Sequence, residues 1–410
     1  MNSASRATDT AHRPAGTAGE VFRAALRLGL GSFGGPIAHL GYFERTYVRK
    51  LRWLSSEQYS GLISLCQLLP GPTSSQVGFL VGLHRAGWLG ALAAWAGFTL
   101  PSALAMYAFA LWMPADPGPR MQAVLHGLML TAVVVVAQAV WSMARTLCPD
   151  WRRRLIASAA CIVLLFQHGG AVQLATLVGG AIVGSLICRS LRGSAPSLTL
   201  QPDHRAAWLA LALFVVLLFG LPALALFDPH GPAALASLFY RSGAFVFGGG
   251  HVVLPLLQQS MVPPGWISDS RFLAGYGFAQ AMPGPLFTFA AYLGAVTAPP
   301  HDSLLWSLLA LVALFLPGLL LAISGLSLFG KLARSGPANG ALAGINATVI
   351  GLLAAALYTP VWTGAVHSVI DVLVVLAALL LLQRYKLPPI LIAGLCVVAS
   401  LSLPGIHFAM

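Results

Sequence analysis

The chain alternates between long apolar segments and short polar stretches. In its first half the apolar segments cover residues 21–44, 59–83, 87–113, 121–142, 154–168 and 169–188. In its second half they cover 237–258, 272–297, 303–330, 341–363, 366–384 and 388–408, and one further segment covers 206–227. A helix needs about 20 apolar residues to cross the hydrocarbon core of a bilayer. The pattern therefore predicts an all-α polytopic membrane protein.

Composition excludes a water-soluble fold. Of the 410 residues, 58% are hydrophobic and only 8% are charged, whereas a soluble domain carries roughly a quarter charged residues. The lipid bilayer is thus the expected surroundings. Residues 1–20 are polar and lack the apolar core of a cleavable signal peptide, so they are predicted to form a disordered tail at the start of the mature protein.

Short motifs recur about 214 residues apart and in the same order. The matching stretches are Phe33-Gly34-Gly35-Pro36 with Phe247-Gly248-Gly249-Gly250, Trp53-Leu54-Ser55 with Trp266-Ile267-Ser268, Gln67-Leu68-Leu69-Pro70-Gly71-Pro72 with Gln280-Ala281-Met282-Pro283-Gly284-Pro285, and Pro101 with Pro317. Four ordered matches indicate an internal duplication. The predicted domains are a first half at 21–188, a linker with one extra transmembrane helix at 189–236, and a second half at 237–410.

The number of segments predicts that the second half is inverted. Moving one repeat along the chain passes an odd number of apolar segments, so equivalent segments run in opposite directions. Basic residues test the arrangement, because Lys and Arg collect in cytoplasmic loops. The groups at 145–154, 189–205, 331–334 and 384–386 all fall on one side, whereas the basic loop at 45–52 joins them only if segments 21–44 and 59–83 are re-entrant. We therefore expect re-entrant broken helices, with their counterparts in the second half, and a cytoplasmic N-terminus.

The two Pro-Gly-Pro elements are the main candidates for a binding site. Proline removes a backbone donor and glycine permits unusual backbone angles, so each element interrupts its helix. A new helix is predicted to begin near Pro72, and helix starts attract tetrahedral anions. The candidate binding residues are Gln67, Pro70, Gly71, Pro72, Thr73, Ser74, Ser75 and Gln76 in the first half, and Gln280, Pro283, Gly284, Pro285 and Thr288 in the second. The alternative is that both elements are packing kinks.

Further candidates lie at membrane depth. The glycine clusters contribute Gly34, Gly35, Gly249 and Gly250 as candidate binding residues, although close helix packing explains such clusters equally well. His39 and His251 follow the clusters and are candidates for proton coupling; a hydrogen bond to backbone is the alternative. Arg85 and Arg241 are candidates to offset an anion's charge, or else anchors to the membrane surface. Asp371 lies in a late apolar segment without an obvious partner.

Several classes of function find no support. The net charge of +12 has no soluble face on which to bind nucleic acid. There is no nucleotide-binding GxxxxGK[ST] motif and no cluster of metal ligands, so neither a cofactor nor a metal is expected. The five cysteines are scattered, and Cys66 is the one candidate for an intramembrane reductase. A transporter that is not an enzyme is therefore expected, with a passive anion channel as the alternative.

The sequence resembles the chromate transporter (CHR) family over nearly its whole length. The first-half runs that carry the resemblance are FGGPIAHLGYFERTYVRKLRWLSSEQY, LCQLLPGPTSSQVGFLVGLHRAG and GFTLPSA. Those of the second half are GAFVFGGGHVVLPLL, GWISDSRFLAGYGFAQAMPGPLFTFAAYLGA and GINATVIGLL. The resemblance implies chromate export across the bacterial inner membrane, driven by the membrane potential or a proton gradient and conferring chromate resistance. Sulfate or another oxyanion stays open as the substrate, and a homodimer stays open as the assembly.

Overall fold

The structure is a computed structural model that describes residues 16–33, 35–114, 118–167, 170–188, 204–247, 252–332, 336–385 and 387–402. Within these ranges it is helical and contains no β-strand. Five of its helices are long and apolar enough to cross a membrane, at Thr73–Trp112, Pro119–Leu147, His204–Ala225, Ser303–Ser327 and Pro337–Ala365. The predicted all-α polytopic membrane fold is confirmed.

Seventeen α-helices occur in the described ranges. Those of the first half are α1 Ala18–Gly31, α2 Gly35–Phe43, α3 Ser56–Leu68, α4 Thr73–Trp112, α5 Pro119–Leu147, α6 Trp151–Phe166 and α7 Gly170–Ile187, followed by the extra helix α8 His204–Ala225. Those of the second half are α9 Pro232–Ala244, α10 Val253–Met261, α11 Asp269–Ala281, α12 Phe289–Val296, α13 Ser303–Leu332, α14 Gly336–Ala356, α15 Thr363–Ala365, α16 Val369–Tyr385 and α17 Pro389–Ser402.

The first helix begins earlier than its predicted segment. Thr17 caps α1 by accepting a hydrogen bond from the backbone N–H of Glu20 at 3.2 Å. A threonine at this position satisfies one of the unpaired N–H groups of the first turn, and this extends the helix back to Ala18. The expected polar tail at 1–20 is therefore too long by three residues at its C-terminal end.

Helix α4 folds back on itself at Ala86 and Gly87. Both residues leave helical geometry, and Gly87 has φ of +64°, a value that glycine adopts without strain. Gly82 and Gly90 pack in direct contact across the break. The helix thus consists of a short arm, residues 73–85, and a long arm, residues 88–112, which run side by side.

Contacts around Arg85 show that the first two apolar segments are re-entrant. Arg85, at the end of the short arm, bonds to Glu20 at the start of α1 at 3.2 Å, and its guanidinium lies 5.4 Å from the centre of the Trp53 ring, just before α3. The starts of α1 and α3 and the end of the short arm therefore lie on one face, which we call the basic face. The predicted re-entrant arrangement is confirmed, and it places the loop at 45–52 on this face.

The second half repeats the arrangement from the opposite face. Trp266, which precedes α11, lies 5.5 Å from His230 before α9 and 6.2 Å from Trp306 at the start of α13. These three residues define the opposite face, because the long arm of α4 has crossed the protein in between. In each half, therefore, the first two apolar segments both begin at one face of the protein and return to that same face.

Equivalent helices of the two halves run antiparallel. Trp95 of the long arm lies 5.7 Å from Phe315 of α13, and the hydroxyl of Tyr107 lies 3.1 Å from that of Ser303. Between these two contacts the residue number rises by twelve along α4, from 95 to 107, and falls by twelve along α13, from 315 to 303. The predicted inversion of the second half is confirmed.

The halves also exchange helices. Helix α5 of the first half packs against α16 and α17 of the second, and α14 of the second half packs against α6 and α7 of the first. Gly180 and Gly184 of α7 contact Gly340 and Gly344 of α14, a close approach of the kind that small residues four apart permit between membrane helices. Neither half can bury its own apolar helix faces without the other.

Candidate functional site

The two Pro-Gly-Pro turns meet the opposite half through reciprocal hydrogen bonds. The backbone N–H of Gly71 donates to the carbonyl of Val246 at the end of α9, at 2.7 Å, and the N–H of Gly284 donates to the carbonyl of Ser32 at the end of α1, at 2.9 Å. Val246 and Ser32 are themselves equivalent in the repeat, since each precedes the Phe of its glycine cluster. We call the region around these two bonds the crossing.

Glycine is required in both turns. Gly71 has φ of +117° and Gly284 has φ of +99°, which other residues rarely adopt. A Cβ on Gly71 would lie 2.7 Å from Cα of Gly318, and one on Gly284 would lie 2.7 Å from Oγ of Ser102. Each turn is therefore pressed against the long helix of the other half, one residue after Pro317 or Pro101.

A helix begins directly after the first turn, as predicted. Helix α4 starts at Thr73, and no side chain caps it. The first amide N–H groups of a helix have no partner within it and carry the positive end of the helix dipole. Ser74 and Ser75 are 3% and 2% exposed, so this helix start lies inside the protein and the crossing is closed in this structure.

His39 joins the helix start to the end of α1. Its Nε2 lies 3.2 Å from the carbonyl of Ser32 and its Nδ1 lies 3.4 Å from Oγ of Ser74. A carbonyl can only accept, so Nε2 carries the proton, and the neutral ring then accepts the Ser74 hydroxyl proton at Nδ1. The proposed proton-coupling residue of the first half thus contacts a proposed binding residue directly.

Three buried hydroxyls near this point have no hydrogen-bond partner in the described part of the chain. They belong to Ser32, Ser75 and Thr99, which are 1% to 2% exposed. Buried polar groups are normally hydrogen-bonded, so hydroxyl donors without a partner beside an uncapped helix start are suited to a polar ligand. Sequence reasoning identified Ser75 and missed the other two, although Ser32 directly precedes the first glycine cluster and Thr99 lies in the GFTLPSA run.

Two side chains predicted to bind the anion, those of Gln76 and Thr288, form hydrogen bonds to backbone carbonyls instead. The side-chain amide of Gln76 donates to the carbonyls of Pro70 and Gly318 at 2.8 and 2.9 Å, which leaves a carbonyl oxygen that repels an anion. The hydroxyl of Thr288 donates to the carbonyl of Pro285 at 2.9 Å within its own turn. Both side chains close the turns, so we withdraw them as donors to a bound anion.

Arg85 lies away from the crossing, and Gln67 is not buried in it. Arg85 is paired with Glu20 on the basic face, and the short arm places it about 18 Å along the helix axis from Thr73. The structure therefore does not bring Arg85 beside Thr73, and its role in offsetting the charge of an anion stays a prediction. Gln67 is exposed on α3, whereas its repeat equivalent Gln280 is 9% exposed and hydrogen-bonded to Tyr276.

The glycine clusters are described only in part. Gly35 begins α2 with φ of +81°. The remaining predicted residues of the clusters, Gly34, Gly249, Gly250 and His251, lie outside the described residues, so the prediction that they bind substrate or a proton stays a prediction.

Asp371 has a partner that sequence spacing cannot reveal. Its Oδ2 accepts from the backbone N–H groups of His367 and Ser368 at 3.0 and 2.9 Å, and its Oδ1 lies 3.5 Å from Nε2 of His126 in the other half. Asp371 is fully buried. One ligand atom from each of His126, His367 and Asp371 lies within 4.8 Å of the others, so these three residues could hold a cation, although the sequence suggested no such cluster.

Two of the cysteines, Cys66 and Cys148, are poorly placed to react as thiolates. All five are free, and Cys66 is fully buried within α3. Burial raises the pKa of the Cys148 thiol, at the end of α5, to about 11, so this thiol stays protonated at neutral pH. Because the thiolate is the reactive form, Cys148 is not activated for attack on a substrate.

The similarity to known proteins covers both halves. A profile of the family described as Chromate transporter matches residues 19–185 and again residues 233–401. The chain belongs to the chromate transporter family. The family match covers the two repeats that meet at the crossing and leaves out the whole of α8, the extra helix between them.

Relatives named as chromate transport proteins are similar to this chain over most of its length. A chromate transport protein of Pseudomonas aeruginosa is 28% identical over 359 residues, covering 86% of this chain and 83% of the relative. One of Cupriavidus metallidurans is 26% identical over 398 residues, covering 93% and 92%. A probable chromate transport protein of Synechococcus elongatus is 28% identical over 387 residues, covering 92% and 93%. No solved structure is significantly similar to the chain.

Proposed function

We propose that this family member exports chromate, a tetrahedral dianion, from the cytoplasm across the bacterial inner membrane and so confers resistance to it. The observation that carries the proposal is the crossing. Two inverted turns hold each other by reciprocal bonds, and one of them opens a buried, uncapped helix start with hydroxyl donors. A tetrahedral anion suits such a helix start.

Ser75, Ser32 and Thr99 are the proposed hydroxyl donors, together with the first amide N–H groups of α4. Ser74 and His39 form a second layer, since the imidazole holds Ser74 against the end of α1. A proton arriving on Nδ1 of His39 would break its bond from Ser74 and free that hydroxyl. In this way proton binding and anion binding are coupled at the crossing.

Charge distribution supports a cytoplasmic position for the basic face. Arg45 follows α2 in the basic loop at 45–52, which lies on this face, and the positive-inside rule puts basic loops in the cytoplasm. Export then moves two negative charges out of a negative interior. At 100 mV this is favourable by about 4.6 kcal/mol, at roughly 2.3 kcal/mol per charge, so the potential alone can drive export.

The cycle proposed here is a rocking of the two halves about the crossing. With the crossing closed, the two faces would be separated. Breaking either of the two reciprocal bonds would open the crossing to one face while the other bond keeps the second face closed. This mechanism follows from the inverted repeat and needs no nucleotide.

The test is uptake of labelled chromate into everted vesicles that contain the wild-type protein. We expect accumulation that depends on an imposed potential and is inhibited by unlabelled chromate, with the strength of sulfate competition measuring selectivity. Flux that is much faster and shows no stimulation by chromate on the far side would indicate a passive channel. No uptake above that of empty vesicles, by protein shown to be folded, would refute chromate as the substrate.

Ser75→Ala is expected to weaken chromate binding about tenfold or more without unfolding the protein. A hydrogen bond to a charged group contributes about 1.5–3 kcal/mol, and the Ser75 hydroxyl has no protein partner to lose. The matched control is Ser64→Ala on the exposed face of α3. Measurement of the transport KM and of chromate-dependent thermal stabilisation for both variants tests the placement, and an unchanged KM in Ser75→Ala would exclude it.

A further inference from the structure

We infer that the protein has two equivalent arginine-lined vestibules, one on each face, through which the anion reaches and leaves the crossing. The inference rests on the proposed function for the identity of the anion. It rests on geometry alone for the existence of two positively charged entrances related by the repeat.

The first vestibule opens on the basic face. It is a cavity of about 340 Å³ between α1 and the segment at 44–53, and Arg23, Arg27 and Lys50 line it. Glu20 also lines it, but this carboxylate is paired with Arg85. Arg27 forms no hydrogen bond or ion pair with any described residue, so the vestibule presents uncompensated positive charge.

The second vestibule opens on the opposite face. It is a cavity of about 710 Å³ lined by Arg241 together with polar residues such as Ser242, Gln259 and Ser260. None of its described lining residues is acidic. Arg241 likewise forms no hydrogen bond or ion pair within the described part of the chain, and it is the one charged group among the lining residues.

The internal repeat maps one cavity onto the other. Adding 214 to the residue number, or 213 for Trp53, gives the equivalent position in the second half. Seven of the nine lining residues of the first vestibule have an equivalent that lines the second. The pairs include Arg27 with Arg241, Thr46 with Ser260 and Trp53 with Trp266. Two cavities that arise at equivalent places in inverted repeats are a property of the duplicated fold and not two unrelated surface hollows.

Each arginine lies the same number of residues before the crossing. Arg27 on α1 precedes Ser32 by five residues, and Arg241 on α9 precedes Val246 by five residues. Ser32 directly follows α1 and Val246 lies two residues beyond α9, and these two residues accept the two reciprocal bonds. An anion held at either arginine would therefore lie one short step from the turn that must open.

A membrane anchor does not account for both arginines. The positive-inside rule explains arginines on one face only, whereas the two vestibules lie on opposite faces. Both cavities are large enough to hold an anion. The smaller one, of about 340 Å³, has the volume of about ten waters at roughly 30 Å³ each. A partly hydrated tetrahedral dianion fits either cavity.

Sided transport kinetics test the proposal with Arg27→Gln and Arg241→Gln. We expect Arg27→Gln to raise the KM for chromate presented at the basic face, in everted vesicles, about tenfold. We expect Arg241→Gln to raise the KM to a similar extent for chromate presented at the opposite face, in right-side-out vesicles. Lysine at either position should restore most of the affinity. The controls are Arg145→Gln on the basic face and Arg120→Gln on the opposite face, which line neither vestibule.

Thiol labelling tests the vestibules without relying on transport. In a background without native cysteines, Ala24→Cys and Leu238→Cys place one thiol in each cavity. We expect an impermeant anionic reagent to label Ala24→Cys only from the basic face and Leu238→Cys only from the opposite face. It should react faster than a cationic reagent, and adding Arg27→Gln or Arg241→Gln should abolish that preference.

The outcomes separate the two proposals. Labelling as expected with no chromate transport by the wild type would retain the vestibules and refute chromate as the cargo. Chromate transport by the wild type with unchanged KM in both glutamine variants would retain the proposed function and overturn the vestibules. Labelling of both thiols from one face would overturn them as well.

Discussion

Gly71→Ala is expected to abolish transport and to destabilise the protein by about 2–5 kcal/mol. Forcing an L-residue into the left-handed region costs about 1–2 kcal/mol, and overpacking costs a further 1–3 kcal/mol or so. The added Cβ would lie 2.7 Å from Cα of Gly318, which is backbone and cannot move aside. The substitution therefore separates the first turn from α13 and breaks the bond to Val246.

Thermal unfolding in detergent and chromate uptake measure the two effects of Gly71→Ala. Gly41→Ala is the matched control, because a Cβ at Gly41 meets no atom within 4 Å, and we expect that variant to behave as the wild type. Gly284→Ala, at the equivalent turn, should reproduce the loss. A wild-type melting temperature for Gly71→Ala would show that the contact between the first turn and α13 is not needed for folding.

Asp371→Ala is expected to be the most destabilising change of a charged residue outside the crossing, by roughly 2–4 kcal/mol. It removes the acceptor for two partly buried backbone N–H groups, and a donor left unpaired away from water costs about 1–3 kcal/mol. It also removes the group beside His126 that joins α16 of the second half to α5 of the first. Asp371→Asn keeps an acceptor oxygen and should lose less.

A double-mutant cycle isolates the contact between Asp371 and His126. Melting temperatures of Asp371→Asn, His126→Gln and the double variant should be non-additive, because residues in contact couple. Glu57→Ala, on an exposed position of α3, serves as the control for loss of a carboxylate. Additive effects would show that the carboxylate acts only on its own helix start, where it binds the N–H groups of His367 and Ser368.

Local chemistry made much of the fold readable from the sequence. Apolar segments define membrane helices because a bilayer offers backbone groups no partner, and proline with glycine marks where these helices must break. The repeat of these motifs implied two halves, and an odd number of segments implied their inversion. The basic loop at 45–52 then required re-entrant segments, which the contact of Arg85 with Trp53 and Glu20 confirms.

The candidate site was predicted less completely, because its residues are assigned by contacts between the halves. Ser75 and Gln76 are neighbours with similar polarity. The hydroxyl of Ser75 has no partner among the described residues, whereas the side-chain amide of Gln76 donates to the carbonyl of Gly318. Arg85 has the right charge but stands at the wrong end of its helix. Ser32 and Thr99 lie beside or within short motifs, but they become candidates only because their buried hydroxyls have no partner among the described residues.

The sequence by itself determined the membrane environment, the duplication, the breaks in the helices and the start of a helix after Pro72. These follow from composition and from the backbone limits of proline and glycine, which act within a few residues. The tertiary structure alone decided which carbonyl each turn binds, which hydroxyls have no partner, how Asp371 meets His126 and where the two arginine-lined cavities lie. Those pairings join residues far apart in the chain, so the relative placement of the two halves, and not any local pattern, sets them.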